Sequence, residues 1–330
     1  MRMLKTVYWA GQIHNYKLKI DVYDKNADTI RNEFYGQCPG LKDEQIINFI
    51  EADVNSAQFE NEVLSKSPEA TYVVITMADD DLNFLTAEKL YRFYRRKNNF
   101  NDSLLPEIFA RVRSNTKSNP FENDQKYLSE RNISFFGTTK DVFSNETLFN
   151  TQLEQLAFAV DLAYSNKLSL EYGSEEYKKA FFEFNKSEYN RRSSMASALH
   201  IKAKIKMCCP ELPDDFDAFS SYTVSAFKEN LSKSDIIEML SRNEHDRWNA
   251  FMLSEGYEKA TLEQISQYAT MENGYTHKDE KSKLHPCITN WGSLDSIQEF
   301  MFEKYGRECT FKNYDEDIIK LPQIIDFINR

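Results

Sequence analysis

The sequence predicts an α/β domain built on a parallel sheet, followed by a mainly α-helical domain. Short runs of β-forming residues alternate with helical patterns in the first half, the arrangement that gives a parallel sheet. In the second half, apolar residues recur at helical spacing over long stretches. Only 9 of the 330 residues are glycine, well under the ~7% of usual proteins. With abundant Leu, Ile, Glu and Lys, that scarcity favours a helix-rich α/β chain.

Residues 17–23, Lys-Leu-Lys-Ile-Asp-Val-Tyr, alternate and read as a strand closed by Asp24. A short helix over 27–34 and a strand over 46–51 follow, with Asp53 just beyond. The next expected helix covers 56–66. The near-continuous apolar run 71–76 is the pattern of a parallel strand covered on both faces. A long helix over 81–97, a strand over 107–112 and a weaker one over 132–136 complete this half. Residues 146–167 form one amphipathic helix, with Leu148, Leu153, Leu156, Ala159, Val160 and Ala163 near helical spacing. A helical region spans 174–209, and Pro210 and Pro213 break it. A helix over 233–255 starts at Ser234 or Asp235 as N-cap and stops at Gly256. The domain limits are therefore 1–145, a connecting helix over 146–174, and 175–330.

Composition bounds the function. The net charge of −11 argues against non-specific nucleic-acid binding, which needs clustered Lys and Arg. The five cysteines are odd in number and contain no CxxC, which fits reduced thiols in a cytoplasm. No apolar run approaches the roughly 18 residues of a membrane helix. GxSxG, Walker, kinase and HExxH signatures are absent from the sequence. Catalytic and metal-ligating sets are therefore not expected.

Five segments of the last hundred residues occur in a telling order: Glu244-His245-Asp246-Arg247-Trp248-Asn249-Ala250-Phe251, then Glu255-Gly256-Tyr257, Lys283-Leu284-His285-Pro286, Trp291-Gly292-Ser293-Leu294, and the run from Tyr314 to Pro322. This series resembles the RyR domain, a small helical module named for its repeats in ryanodine receptors and common in bacterial proteins. The run Asn185–Ser194 with Ala198-Leu199-His200-Ile201 and Lys204 is similar to the helical segment that precedes bacterial RyR motifs. The resemblance implies a binding or sensing module. His245 and Trp248 lie three apart on one helix face, as do Glu244 and Arg247. The expected ligand site comprises His245, Arg247, Trp248, Tyr257, His285, Trp291 and Arg192. An indole there can stack on a planar base, and an arginine can fork onto a phosphate. The competing reading makes Trp248 a core anchor and His245 a hydrogen-bonded buried group.

In the first half, Asp24, Asp53 and the stretch Thr76-Met77-Ala78-Asp79-Asp80-Asp81-Leu82-Asn83, with Ala110-Arg111-Val112, resemble the TrkA-N domain, the Rossmann-type regulatory domain of potassium transporters and channels. The resemblance implies that Asp24 holds ribose, Asp53 and Val54 flank adenine, and Thr76 and Met77 face phosphates. The competing roles are a surface turn for Asp24 and helix capping for Asp53 and Asn83. The family also needs a first strand and a Gly-rich turn. Here Met1 to Trp9 already reads as the first helix, and no GxG occurs. The residues therefore either belong to a longer protein or have lost that strand, and tight binding of NAD or ATP is not expected. Strands 17–23, 46–51, 71–76 and 107–112 should be parallel neighbours, with Asp24, Asp53 and Thr76 at one end.

The functional expectation is a cytoplasmic, non-enzymatic regulator that senses a nucleotide-derived ligand in a bacterial defence or ion-flux setting. It would act as a homo-oligomer or with an upstream or separate effector or membrane domain. The alternatives are an enzyme acting on NAD or a related nucleotide, and an assembly module.

Overall fold

A computed structural model describes residues 1–57, 59, 64, 70–114, 131–139, 152–268, 281–306, 312 and 314–329. Elements are numbered below among these residues. Contacts divide the chain into two units that do not follow chain order. One contains Met1–Val22, Ala27–Ile50 and Gln152–Arg330; the other contains Tyr23–Asn26 and Glu51–Thr151.

Each strand of the smaller unit alternates inward and outward. Strands β3 (Tyr72–Ile75), β4 (Glu107–Arg111) and β5 (Ile133–Phe136) form a parallel sheet in that order. Ile75, Ile108, Ala110 and Ile133 are buried with Ala87, Leu90, Tyr91 and Tyr94 of helix α3 (Asp80–Lys97) in one cluster. The Asp79 carboxylate caps α3 by accepting from the Leu82 amide. Its last turn carries Arg95, Arg96 and Lys97, which suit the negative end of a helix dipole. Asn99 and Phe100 then turn left-handed (φ 52° and 62°) and end it. Strand β3 departs from the expected two-sided cover. Tyr72 is 67% and Val74 38% exposed, so the apolar run reflects β propensity on an open face.

Strands β1 (Ile20–Asp24) and β2 (Ile47–Glu51) form a separate two-stranded sheet. The Ile20 amide donates to the Ile46 carbonyl and the Ala52 amide to that of Asp24, so pairing advances in parallel. The four expected neighbours are thus not one sheet: β1 pairs with β2, β3 pairs with β4, and no ladder joins the two sets. The helix expected over 56–66 and residues 146–151 of the next fall largely or wholly outside the described residues.

The larger unit is helical: α1 (Arg2–Ala10), α2 (Ala27–Gln37), α4 (Gln152–Tyr164), α5 (Glu175–Lys186), α6 (Glu188–Leu199), α7 (Ile201–Cys208), α8 (Ser221–Leu231), α9 (Ser234–Ser254), α10 (Leu262–Tyr268), α11 (Ser293–Tyr305) and α12 (Tyr314–Ile328). The expected region 174–209 is three helices. Ser187 ends α5 and caps α6 through its hydroxyl, His200 separates α6 from α7, and Pro210 follows the Cys209 cap. The N-cap of α9 is Lys233, without a side-chain cap bond, instead of Ser234 or Asp235. Its extended backbone (φ −89°, ψ 121°) puts the boundary one residue earlier.

Helix α9 organises this unit. Leu240 joins Phe158, Leu162, Ile201, Ile205, Phe227 and Ile325 in one core cluster. At the other end, Phe251 and Met252 join Trp9, Phe34, Cys38 and Leu41 in a second. Trp9 meets Phe251 edge-on at 6.4 Å. Two glycines make the approach of residues 36–41 to α9 possible. A Cβ on Gly40 would lie 2.7 Å from Leu253 and 2.9 Å from the Tyr257 carbonyl; one on Gly256, at φ +85°, would lie 2.8 Å from the Gln37 carbonyl. Gly256 is the expected stop of α9, since that left-handed backbone favours glycine. Among the described residues, no helix is long and apolar enough to cross a membrane.

Candidate functional site

The midsection of α9 carries polar groups on two faces. On one, His245, Trp248 and Asn249 meet the segment after the short strand β7 (Leu284–His285), which pairs in parallel with β6 (Glu258–Lys259). His245 Nε2 and Asn249 Nδ2 each lie 2.7 Å from the Thr289 carbonyl oxygen. A carbonyl only accepts, so both nitrogens donate and His245 is protonated on Nε2. Burial holds its pKa below the ordinary histidine value, which favours the neutral ring. The Cys287 amide donates to His285 Nδ1 at 3.1 Å. A neutral His285 therefore carries its proton on Nε2.

Aromatic rings close this cluster. Trp248 lies 4.9 Å from His285 edge-on and 6.3 Å from His245 nearly parallel, and Trp291 approaches His245 at 5.7 Å. Both indoles are half-buried. Lys312 sits 5.3 Å over Trp291, and Lys259 donates to the Thr289 hydroxyl at 3.1 Å. The apolar floor is Ile265, Cys287, Leu294 and Met301.

The other face of α9 holds a buried charge network. The Arg247 guanidinium forks onto both Glu244 carboxylate oxygens at 2.9 Å. Lys204 lies 2.9 Å from the same carboxylate, and the Ser197 hydroxyl donates to it at 3.2 Å. Burial opposes ionisation of Glu244, but the two cations and their hydrogen bonds outweigh it and hold the carboxyl below its usual range. Beside them, burial first and the nearby Lys204 second push His200 down to about 3.

The expected ligand residues thus separate into groups. His245, Trp248, His285 and Trp291 converge. Arg247 faces away from them, toward Glu244, because position 247 lies on the opposite side of the helix. Tyr257 packs 6.2 Å from Tyr189 and under Lys283. Arg192 pairs with Glu255 at 2.6 Å. Asn249, Thr289, Lys259 and Lys312 were not singled out from the sequence. Asn249 has a signal, one helical turn from His245; Thr289 acts through its backbone carbonyl and has none.

In the smaller unit, the side chains flanking Asp24, Asp53 and Thr76 share one cluster: Tyr23, Ala52, Val54, Ile75 and Met77. The Asp24 carboxylate accepts from the Asn26 amide at 2.7 Å, and Asp53 from Asn55 at 2.9 Å, so each closes its own turn. The Val54 carbonyl accepts from Lys89. Thr76 is exposed. The Met77 amide donates to Asn83 Oδ1, while Asn83 Nδ2 donates to the Met77 and Arg111 carbonyls. Asp80 accepts from the amides of Arg113 and Ser114, both at 3.0 Å. Asp79, Asp80 and Asp81 thus place three carboxylates at the start of α3, where a phosphate would need positive potential.

Among the described residues, no three His, Cys, Asp or Glu side chains form a group able to hold a metal ion. Cys38, Cys208, Cys209 and Cys287 are buried free thiols, and burial raises Cys208 above its ordinary value. No family model matches this chain, and no curated protein or solved structure is significantly similar to it.

Proposed function

We propose that the chain is a ligand-responsive regulatory protein. Its helical unit, read as RyR-like, takes a small planar anion of nucleotide type at the Trp248–Trp291 side of α9. The smaller unit is read as a Rossmann-like relay. The observation that carries this reading is the convergence of two half-buried indoles and two imidazoles with Lys259 and Lys312 beside them. Base–aromatic stacking is worth about 1–3 kcal/mol per base. Lys259 at the aromatic cluster favours an anionic partner even in a chain of net charge −11, and Lys312, which pairs with Asp295, holds its ammonium over Trp291. A ligand on Trp291 and Lys312 reaches α9 through the Thr289 carbonyl, which His245 and Asn249 share. It shifts the protein only by its differential affinity for two arrangements of that link.

The test is a fluorescence and thermal-melt titration of the full chain with mono-, di- and cyclic nucleotides and NAD. Wild type should show quenching and a raised melting temperature with one class of ligand. Trp291→Ala and Lys312→Ala should remain folded and lose both responses. A wild type that no nucleotide quenches or stabilises would sink the proposal.

A further inference from the structure

We propose that the open face of the β3–β4–β5 sheet is an isologous dimer interface, covered by the same face of a second copy of this chain. The inference stands apart from the ligand site. Parallel sheets are found almost always with both faces covered. Among the described residues, α3 covers one face, while the other presents Tyr72, Val74, Glu107, Phe109, Arg111 and Ser134, with Phe109 and Arg111 half-buried. Tyr72 is 67% and Val74 38% exposed. The Tyr72 and Phe109 rings stack at 6.4 Å with planes 24° apart, giving a flat apolar centre.

Charge identifies the occupant. On this face β4 reads Glu107, Phe109, Arg111, an acid and a base on either side of an aromatic residue. Neither charged side chain has an ion-pair partner among the described residues. At about 3.3 Å per residue the two lie roughly 13 Å apart. A two-fold axis passing by Phe109 and perpendicular to the strand brings Glu107 of each copy opposite Arg111 of the other. The pattern is therefore self-complementary, as an isologous interface requires. Face-to-face sheets pack about 10 Å apart, room for one layer of interdigitated Tyr72, Val74 and Phe109 side chains.

Sedimentation velocity on the full chain tests this. Wild type should run as a dimer. Glu107→Arg and Arg111→Glu should each weaken dimerisation at least about tenfold, since a like-charge pair across an interface is strongly unfavourable, and Tyr72→Glu should do the same by placing a carboxylate in the apolar centre. The double variant Glu107→Arg/Arg111→Glu restores a self-complementary pattern and should dimerise again. Tyr72→Glu and Glu107→Arg change exposed side chains, so wild-type melting is expected for both, and they carry the test even if Arg111→Glu melts early. A monomeric wild type, a dimer indifferent to Tyr72→Glu and Glu107→Arg, or a folded double swap no better than the single swaps overturns the proposal.

Discussion

The Thr289 carbonyl receives two donors from one helix, His245 and Asn249, each at 2.7 Å. Removing one donor leaves the other in place, so Asn249→Ala should cost about 1 kcal/mol in urea unfolding. His245→Ala also empties a fully buried site and should cost about 3 kcal/mol. Equal costs would show that the volume vacated at position 245 contributes nothing beyond the lost hydrogen bond. His200, 2% exposed, gives a pH signature. Its folded pKa of about 3 lies below the ordinary 6.5, so the unfolded chain takes up a proton first as pH falls. Its contribution is complete above pH 6.5 and is lost progressively toward pH 3, at up to about 1.4 kcal/mol per pH unit. His245 acts in the same direction, while Asp161 and Asp246, whose pKa values burial raises, act oppositely. The His200 share is therefore read as a difference. His200→Gln should show a shallower fall in stability between pH 6.5 and 4.5 than wild type.

At the scale of the element, α9 binds two environments through opposite faces. The charged face is sensitive because Glu244 satisfies Arg247 and Lys204 together. Glu244→Gln leaves two buried cations without their shared counter-charge and should cost about 3–5 kcal/mol in chemical denaturation. Lys204→Met spares the Arg247 fork and should cost clearly less; the reverse order would place the dependence on Lys204. The sequence shows this helix well. The Glu244–Arg247 and His245–Trp248 spacings and the Gly256 stop are local patterns of a 3.6-residue repeat. The partner of His245 is not legible, because Thr289 contributes a backbone oxygen that every residue has. The open face of β3 is equally hidden: Tyr72 and Val74 are good strand formers whether or not anything covers them.

For the whole molecule, the consequential fact is that residues before position 50 complete the core of residues after 152. Trp9, Phe34, Cys38 and Leu41 bury Phe251 and Met252, and the Cys38 thiol donates to the Ser254 carbonyl at 3.3 Å. A fragment of residues 152–330 would expose that end of α9. It should lack a sharp cooperative melt and near-ultraviolet dichroism, whereas the full chain should have both. A fragment that melts as sharply as the full chain would mean that the early segments only decorate the helical unit.

Local chemistry accounts for the element list. Alternation, capping residues and helix stops are read within a few positions, so the strands near 20, 47, 72, 107 and 133 and most helices are legible. Pairing and packing partners are different in kind. Periodicity states that a face is apolar but not which distant segment covers it. The separation of β1–β2 from β3–β4–β5, the docking of α1 and α2 on α9, and the pairing of Lys204 with Glu244 all rest on contacts between residues far apart in the chain. Shape and charge in three dimensions choose among them, and Gly40 and Gly256 show the cost of a wrong choice, since a single added Cβ at either meets a carbonyl oxygen within 3 Å.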